Sequence, residues 1–249
     1  MMKTILLGYC WIGILAFGGP GQTAPSAQAI LERADRNAVS GNRIAVSEMI
    51  IHGRRDSRSI SAKSWIQGED KAFTEYLAPA REKGIKMLKL SDQLWTYSPD
   101  TDRTISISGH MLRQSVMGSD LSYEDMMEDH SLVDLYRPEI AGEETWLDRP
   151  CWILGLTSKG GDTAYDSRKI WVDKERYVLL KEERFAKSGK LLKTLEVKSV
   201  IRVQGRWVQN SLAVKDALKS GEGTEFKIQS IEFDAVIPDY LFSKASLRK

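Results

Sequence analysis

Leu94 to Asp129 reads LWTYSPDTDRTISISGHMLRQSVMGSDLSYEDMMED. Trp95 and Tyr97 alternate with polar residues, the period-two pattern of a half-buried strand. Ser98-Pro99-Asp100 is a turn, because proline pre-sets one backbone angle and Asp can bond its own backbone. Thr104-Ile105-Ser106-Ile107 is a second short strand, so the stretch opens with a hairpin. After Gly109 the alternation stops. The loop carries Met111, Leu112, Val116 and Met117, apolar where a plain surface loop would be polar. Ser122 is placed to cap a short helix, with an acidic residue three positions on to answer it. Tyr123, Met126 and Met127 then share one helix face, and Glu124, Asp125 and Glu128 are expected to point toward water. So short a helix is not stable alone and must dock on something apolar. Met111–Met127 therefore reads as a movable cover with Gly118 as its joint, or as a permanently docked helix that closes one end of a barrel.

The rest of the chain repeats strand and turn. Ile44–Ile51, Ser59–Gln67, Lys71–Leu77 and Ile85–Leu90 precede the hairpin. Pro138 is expected to end whatever Leu132–Tyr136 forms. Strands follow at Cys151–Thr157, Lys169–Val172, Tyr177–Phe185, Leu195–Gln204 and Trp207–Val214. In the last strand Thr224, Phe226 and Ile228 share one parity, while Ile231, Phe233, Ala235 and Ile237 take the other. One extra residue near Gln229-Ser230, a β-bulge, would produce that switch and bend the strand. Tyr240, Leu241 and Phe242 are expected to plug one end. Ile30–Val39 is the helix candidate ahead of the strands, ended by Ser40-Gly41-Asn42. No repeat or linker divides the chain, so residues 30–249 read as one domain.

Several of these segments, taken in order, resemble the outer membrane lipoprotein-sorting proteins, relatives of the periplasmic lipoprotein carriers LolA and LolB. The resemblance rests on W-x-Y-x-P from Trp95, Arg103-x-Ile105, Met117-Gly118-Ser119-Asp120 and Ser122-Tyr123-Glu124-Asp125. Upstream, Phe73, Pro79, Lys83-Gly84 and Leu88 fit the same pattern. It covers the chain from about Ile44 to Leu247. It implies a mainly β fold: an open antiparallel half-barrel of about ten to eleven strands, with helices covering an apolar cavity that holds acyl chains. The implied function is a periplasmic carrier of a lipid or lipoprotein acyl chain between membranes. The implied partners are an inner-membrane transporter and an outer-membrane acceptor. An interaction module without ligand, such as an envelope stress sensor or an accessory subunit of a lipid exporter, stays open as the alternative. On this reading the lipid-binding candidates are Trp65, Phe73, Tyr76, Trp95, Tyr97, Met111, Met117, Tyr123, Met126 and Met127. The large apolar ones suit a concave pocket, and methionine reshapes around varied ligands. Filling a closed core is the competing reading for each of them.

The N-terminus carries Lys3, the apolar run Ile5–Phe17, a Gly18-Gly19-Pro20-Gly21 break and Ala27-Gln28-Ala29, the layout of a cleaved signal peptide over residues 1–29. The run is shorter than the roughly 20 residues a membrane span needs. Cys10 lies inside the run and lacks the small residues expected before a lipidated cysteine. Removing residues 1–29 from 249 leaves 220. It also turns 36 basic against 34 acidic residues into 35 against 34. That near-neutral balance argues against nucleic acid. Cys151, the one remaining cysteine, sits in an apolar strand and reads as a buried small hydrophobe. His52, His110 and His130 show no metal-ligand spacing. Gly118-Ser119-Asp120 is not a nucleophile elbow, and no glycine-rich phosphate loop follows a strand. No catalytic residue, cofactor or metal is expected.

Overall fold

The structure, a computed structural model, describes residues 24–38, 41–53, 55–127, 131–161 and 163–249. Lys3, Cys10, the Ile5–Phe17 run, Val39, Ser40, Glu128, Asp129 and His130 lie outside the described residues.

Helix α1 (Ala27–Ala38) comes first. Its cap is Ser26, whose Oγ accepts from the Ala29 N–H at 3.2 Å. The expected cleavage point after Ala29 thus falls inside the first turn of this helix. Six strands follow: β1 (Arg43–His52), β2 (Ser57–Gln67), β3 (Lys71–Ala78), β4 (Lys86–Leu90), β5 (Gln93–Ser98) and β6 (Arg103–Ile107). Two 3-10 turns, then α2 (Tyr123–Met127) and α3 (Leu132–Leu135), lead to the second series. That series is β7 (Tyr136–Trp146), β8 (Arg149–Ser158), β9 (Ser167–Asp173), β10 (Leu179–Phe185), β11 (Leu191–Val203), β12 (Arg206–Asp216) and β13 (Gly223–Phe233).

All thirteen strands form one open antiparallel sheet in the order β6-β5-β4-β3-β2-β1-β13-β12-β11-β10-β9-β8-β7. Strands consecutive in sequence pair throughout except β6 and β7, which form the two edges, and the two series are joined where β1 pairs with β13. The mainly β, open-sheet expectation holds, but the strand count exceeds the expected about ten to eleven. The strand missed outright is β7, because Pro138 reads as a break. Pro138 lies inside β7, opposite Leu156. An edge strand tolerates proline because its outer side has no ladder bond to lose.

The strands bury side chains on both faces. Met87 and Leu88 are neighbours on β4, and Leu94 and Trp95 on β5, yet each pair divides between two apolar clusters. On one face Tyr76, Met87, Leu94 and Ile107 lie under the loop and helix that follow β6. On the other, Phe73, Leu88 and Trp95 lie under the C-terminal tail, through Ile237, Phe242 and Leu247. The expected plug is therefore part of a longer tail cover: Phe242 is buried, whereas Tyr240 is 62% exposed. In the second series α1 sets Ile30 and Leu31, both fully buried, against Trp152, Leu154, Ile170 and Val172. Each such side chain contributes about 1.5–3 kcal/mol on burial, so α1 is held chiefly by this face.

The bulge expected in the last strand is present. Val46 pairs with Ser230 and Ser47 with Ile228, which leaves Gln229 as the extra residue.

Candidate functional site

Two places come from this architecture: the covered face beside α2, and a cleft under the end of α1.

At α2 the cap is reciprocal. The Asp125 N–H donates to Ser122 Oγ at 3.2 Å, and the Ser122 N–H donates to Asp125 Oδ2 at 2.7 Å. Tyr123, Met126 and Met127 pack on the cluster of Tyr76 and Met87, as their spacing predicts. Asp125, however, does not face water. Its side chain is 2% exposed and binds Arg184 of β10 at 2.9 Å and Lys193 of β11. The Tyr165 hydroxyl donates to its Oδ1 at 2.5 Å. Glu182 extends the cluster, bonded to Arg184 at 2.9 Å and to Arg168 at 2.7 Å. Helix periodicity assigns a residue to a side of its own helix, and here that side meets the far strands of the sheet. Burial alone would raise the Asp125 carboxyl, but the charges of Arg184 and Lys193 outweigh it and bring the pKa down to about 2. Glu182 behaves alike: burial raises it, and Arg184 and Arg168 lower it to about 2.

Gly118 has Arg58 beside it. Its φ is +73°, and an added Cβ would stand 3.0 Å from an Arg58 guanidinium nitrogen. That guanidinium also bonds the Met117 carbonyl. On the same loop Asp120 accepts from Thr224 Oγ1 at 2.8 Å and from the Asp216 N–H at 2.9 Å. The segment between β6 and α2 is tied to β12 and β13 by buried polar bonds, which favours the docked reading over a movable cover.

The second place is a half-open cleft of about 300 Å³. Its roof is the last turn of α1, through Ala34, Asn37 and Ala38. Its walls are Val178 and Leu179 beside β10, Trp207, Val208 and Leu212 of β12, and Phe226, Ile228, Ile231 and Phe233 of β13. The last four face one space because Gln229 is bulged out of the ladder and so absorbs the change of parity between the pairs. Trp207, Leu212, Phe226, Ile228 and Ile231 are only half-buried, leaving a bare apolar wall. The amides at the rim are engaged. Asn37 donates to the Arg176 and Tyr177 carbonyls at 2.8 and 3.0 Å, and Gln209 donates to the Leu179 carbonyl at 2.7 Å.

The ten sequence candidates divide between the two faces of the first series. Tyr76, Met111, Met117, Tyr123, Met126 and Met127 belong to the cluster under α2. Tyr76 is buried, its hydroxyl donating to Met87 Sδ at 3.4 Å, and burial raises its pKa. Trp65, Phe73, Trp95 and Tyr97 belong to the cluster under the C-terminal tail. The Trp65 and Phe73 rings are 5.8 Å apart, and Lys244 stands 4.2 Å over Trp95. None of the ten lines the α1 cleft. The signal that points to the cleft is the parity switch in the last strand, which assigns four large apolar residues to one wall. Trp207 and Leu179 have no such signal in the sequence.

Among the described residues no group of three or more His, Cys, Asp and Glu side chains is placed to hold a metal. Cys151 is buried, and burial pushes its thiol up to about 11. Among the described residues no helix is long and apolar enough to cross a membrane.

A family model described as "Uncharacterized protein" matches residues 68–249. Three solved structures share the fold. A DUF1329 family protein from Desulfovibrio piger is 26% identical over 89% of this chain and 97% of its own, with a TM-score of 0.79. A putative outer membrane lipoprotein-sorting protein domain from Vibrio parahaemolyticus is 24% identical, covering 88% and 98%, with a TM-score of 0.76. A LolA superfamily protein from Nitrosomonas europaea is 23% identical, covering 90% and 100%, with a TM-score of 0.74. No curated protein matches the chain.

Proposed function

Because this chain belongs to the family whose model matches residues 68–249, and shares its fold with a putative outer membrane lipoprotein-sorting domain and a LolA superfamily protein, we propose that it is a periplasmic carrier that shields an acyl chain of a lipid or lipoprotein during transfer between membranes. The observation that carries the reading is the cleft under α1, with its bare wall of Trp207, Leu212, Phe226, Ile228 and Ile231. Such a site needs no catalytic group. It needs apolar surface that stays open to a guest while the rest of the interior is closed. The gain is adequate. At about 0.8 kcal/mol per methylene, a chain of about ten methylenes gains roughly 8 kcal/mol before ordering costs. An inner-membrane donor and an outer-membrane acceptor are the partners this role requires, and residues 1–29 supply the export signal.

Lipid extraction from protein purified out of the periplasm, read by native mass spectrometry, tests the proposal. Co-purifying lipid that is lost in Leu212→Arg, with folding intact, is the expected result. Protein that emerges without lipid and takes none up from vesicles would leave an interaction module as the better description.

A further inference from the structure

We infer that the cleft under α1 takes one unbranched alkyl chain, so that the guest is a single-chain amphiphile, a fatty acid or a monoacyl lipid, and not a diacyl or triacyl lipid. The inference rests on the carrier reading and narrows its substrate class.

Volume is the first ground. A water occupies about 30 Å³ of liquid and a methylene is of similar size, so about 300 Å³ holds on the order of ten methylenes. That is one chain of moderate length. The chemistry of the wall is the second ground. Its large side chains are apolar, the amides of Asn37 and Gln209 already donate to backbone carbonyls, and the charged groups among its lining are Arg43 and Lys227. The wall therefore offers a guest chiefly apolar contact for its chain, with polar and basic groups near for its head group.

The third ground is that both covers are tied down by packing and polar bonds. Ile30 and Leu31 anchor α1 in a closed core, and Asn37 ties its last turn to the Arg176 and Tyr177 carbonyls. Asp35 on the same helix accepts from the Ser131 hydroxyl at 2.6 Å and from the Val133 N–H at 2.8 Å. Raising α1 would expose both apolar side chains and break these bonds. Beside it, α2 is held through Asp125 and packs on Tyr76 and Met87. A second chain would have to displace packed side chains, which close-packed interiors resist.

The test uses the full exported chain, stripped of lipid. Binding is measured by native mass spectrometry and by titration with four probes: dodecanoate, a monoacyl phospholipid, a diacyl phospholipid and a triacyl lipopeptide. One-to-one binding of a single-chain probe is expected, with the diacyl and triacyl probes weaker by about tenfold or more. Dodecanoate against the monoacyl phospholipid tells a free acid from a lipid source. Ile228→Trp should fill the cleft and weaken single-chain binding by about tenfold. Should that variant fail to fold, Phe226→Ala serves instead, since it lengthens the cleft and should shift preference toward longer chains. Equal binding of the diacyl or triacyl probe overturns the one-chain inference while leaving the carrier reading in place. So does single-chain binding indifferent to a folded Ile228→Trp and to Phe226→Ala. If no probe binds, the carrier reading itself fails, and this inference with it.

Discussion

Asp125 shows how far one side chain can reach in this molecule. It caps its own helix through Ser122 and pins that helix to β10 and β11 through Arg184 and Lys193. Replacing it with alanine leaves two cations facing each other in a buried site, which should cost about 3–5 kcal/mol. Chemical denaturation of Asp125→Ala against the parent measures this, and a loss within error of zero would contradict the assignment. The same group sets a pH dependence. The folded pKa, about 2, lies below the ordinary aspartate value of 3.8, so the stabilisation is complete above pH 4. It fades as pH falls through the window down to about 2, and Glu182 adds to it with the same sign. Asp35 opposes them. Burial raises its pKa despite bonds from Ser131 and Val133, so its contribution favours the fold at low pH and is lost as pH rises through the folded value. Melting temperature against pH should therefore drop steeply below pH 4 in the parent and less steeply in Asp125→Ala.

At the scale of elements, the bulge in β13 makes the site. With Gln229 inserted, Phe226 and Ile228 share the cleft with Ile231 and Phe233. Deleting Gln229 should remove the bulge and its local bend while keeping Phe226, Ile228, Ile231 and Phe233 on one face, because the strand then alternates without interruption. The expected outcome is a chain that keeps the four-residue wall and pairs β13 with β1 in an unbroken ladder. A crystal structure of the deletion with one pair on the opposite face would refute the argument. The α2 segment yields a contrasting expectation. A disulfide engineered between α2 and a facing strand should leave lipid uptake unchanged, because polar bonds already hold that helix in place. Uptake blocked by oxidation and restored by reduction would make α2 a moving cover after all. For α1, Ser26→Ala in a chain that keeps residues 24–29 should cost about 1 kcal/mol, the ordinary cost of a lost N-cap. N-terminal sequencing of exported protein, expected to begin at Ile30, would show whether that cap survives export.

For the whole molecule, the open antiparallel sheet was legible because most strands announce themselves by alternation and end at turn residues. Three things were not legible. β7 was hidden by Pro138, since an edge position is a property of the finished sheet and not of the local sequence. The direction of Asp125 was hidden because its partners are 59 and 68 residues away. The division of Trp65, Phe73, Trp95 and Tyr97 from Tyr76 and the methionines was half visible. Strand parity separates Phe73 from Tyr76, but nothing local tells which face the tail will cover and which the loop.

The single long-range junction in the sheet has a consequence for how fast the chain folds. Every other strand pair closes over a short connection, whereas β1 meets β13 only after nearly the whole chain has been made. Closing a loop of about 180 residues costs roughly 4–5 kcal/mol of chain entropy, by the logarithmic law for flexible loops. A circular permutant that joins Lys249 to Ala24 through a flexible linker and opens before Ser131 would start at β7 and end at β6. All its strand pairs would then be near neighbours in sequence, a plain meander with much lower contact order. Its refolding rate should exceed that of the parent at similar stability. Stopped-flow refolding that finds the two rates equal would mean that β1 and β13 meet only after the rate-limiting step.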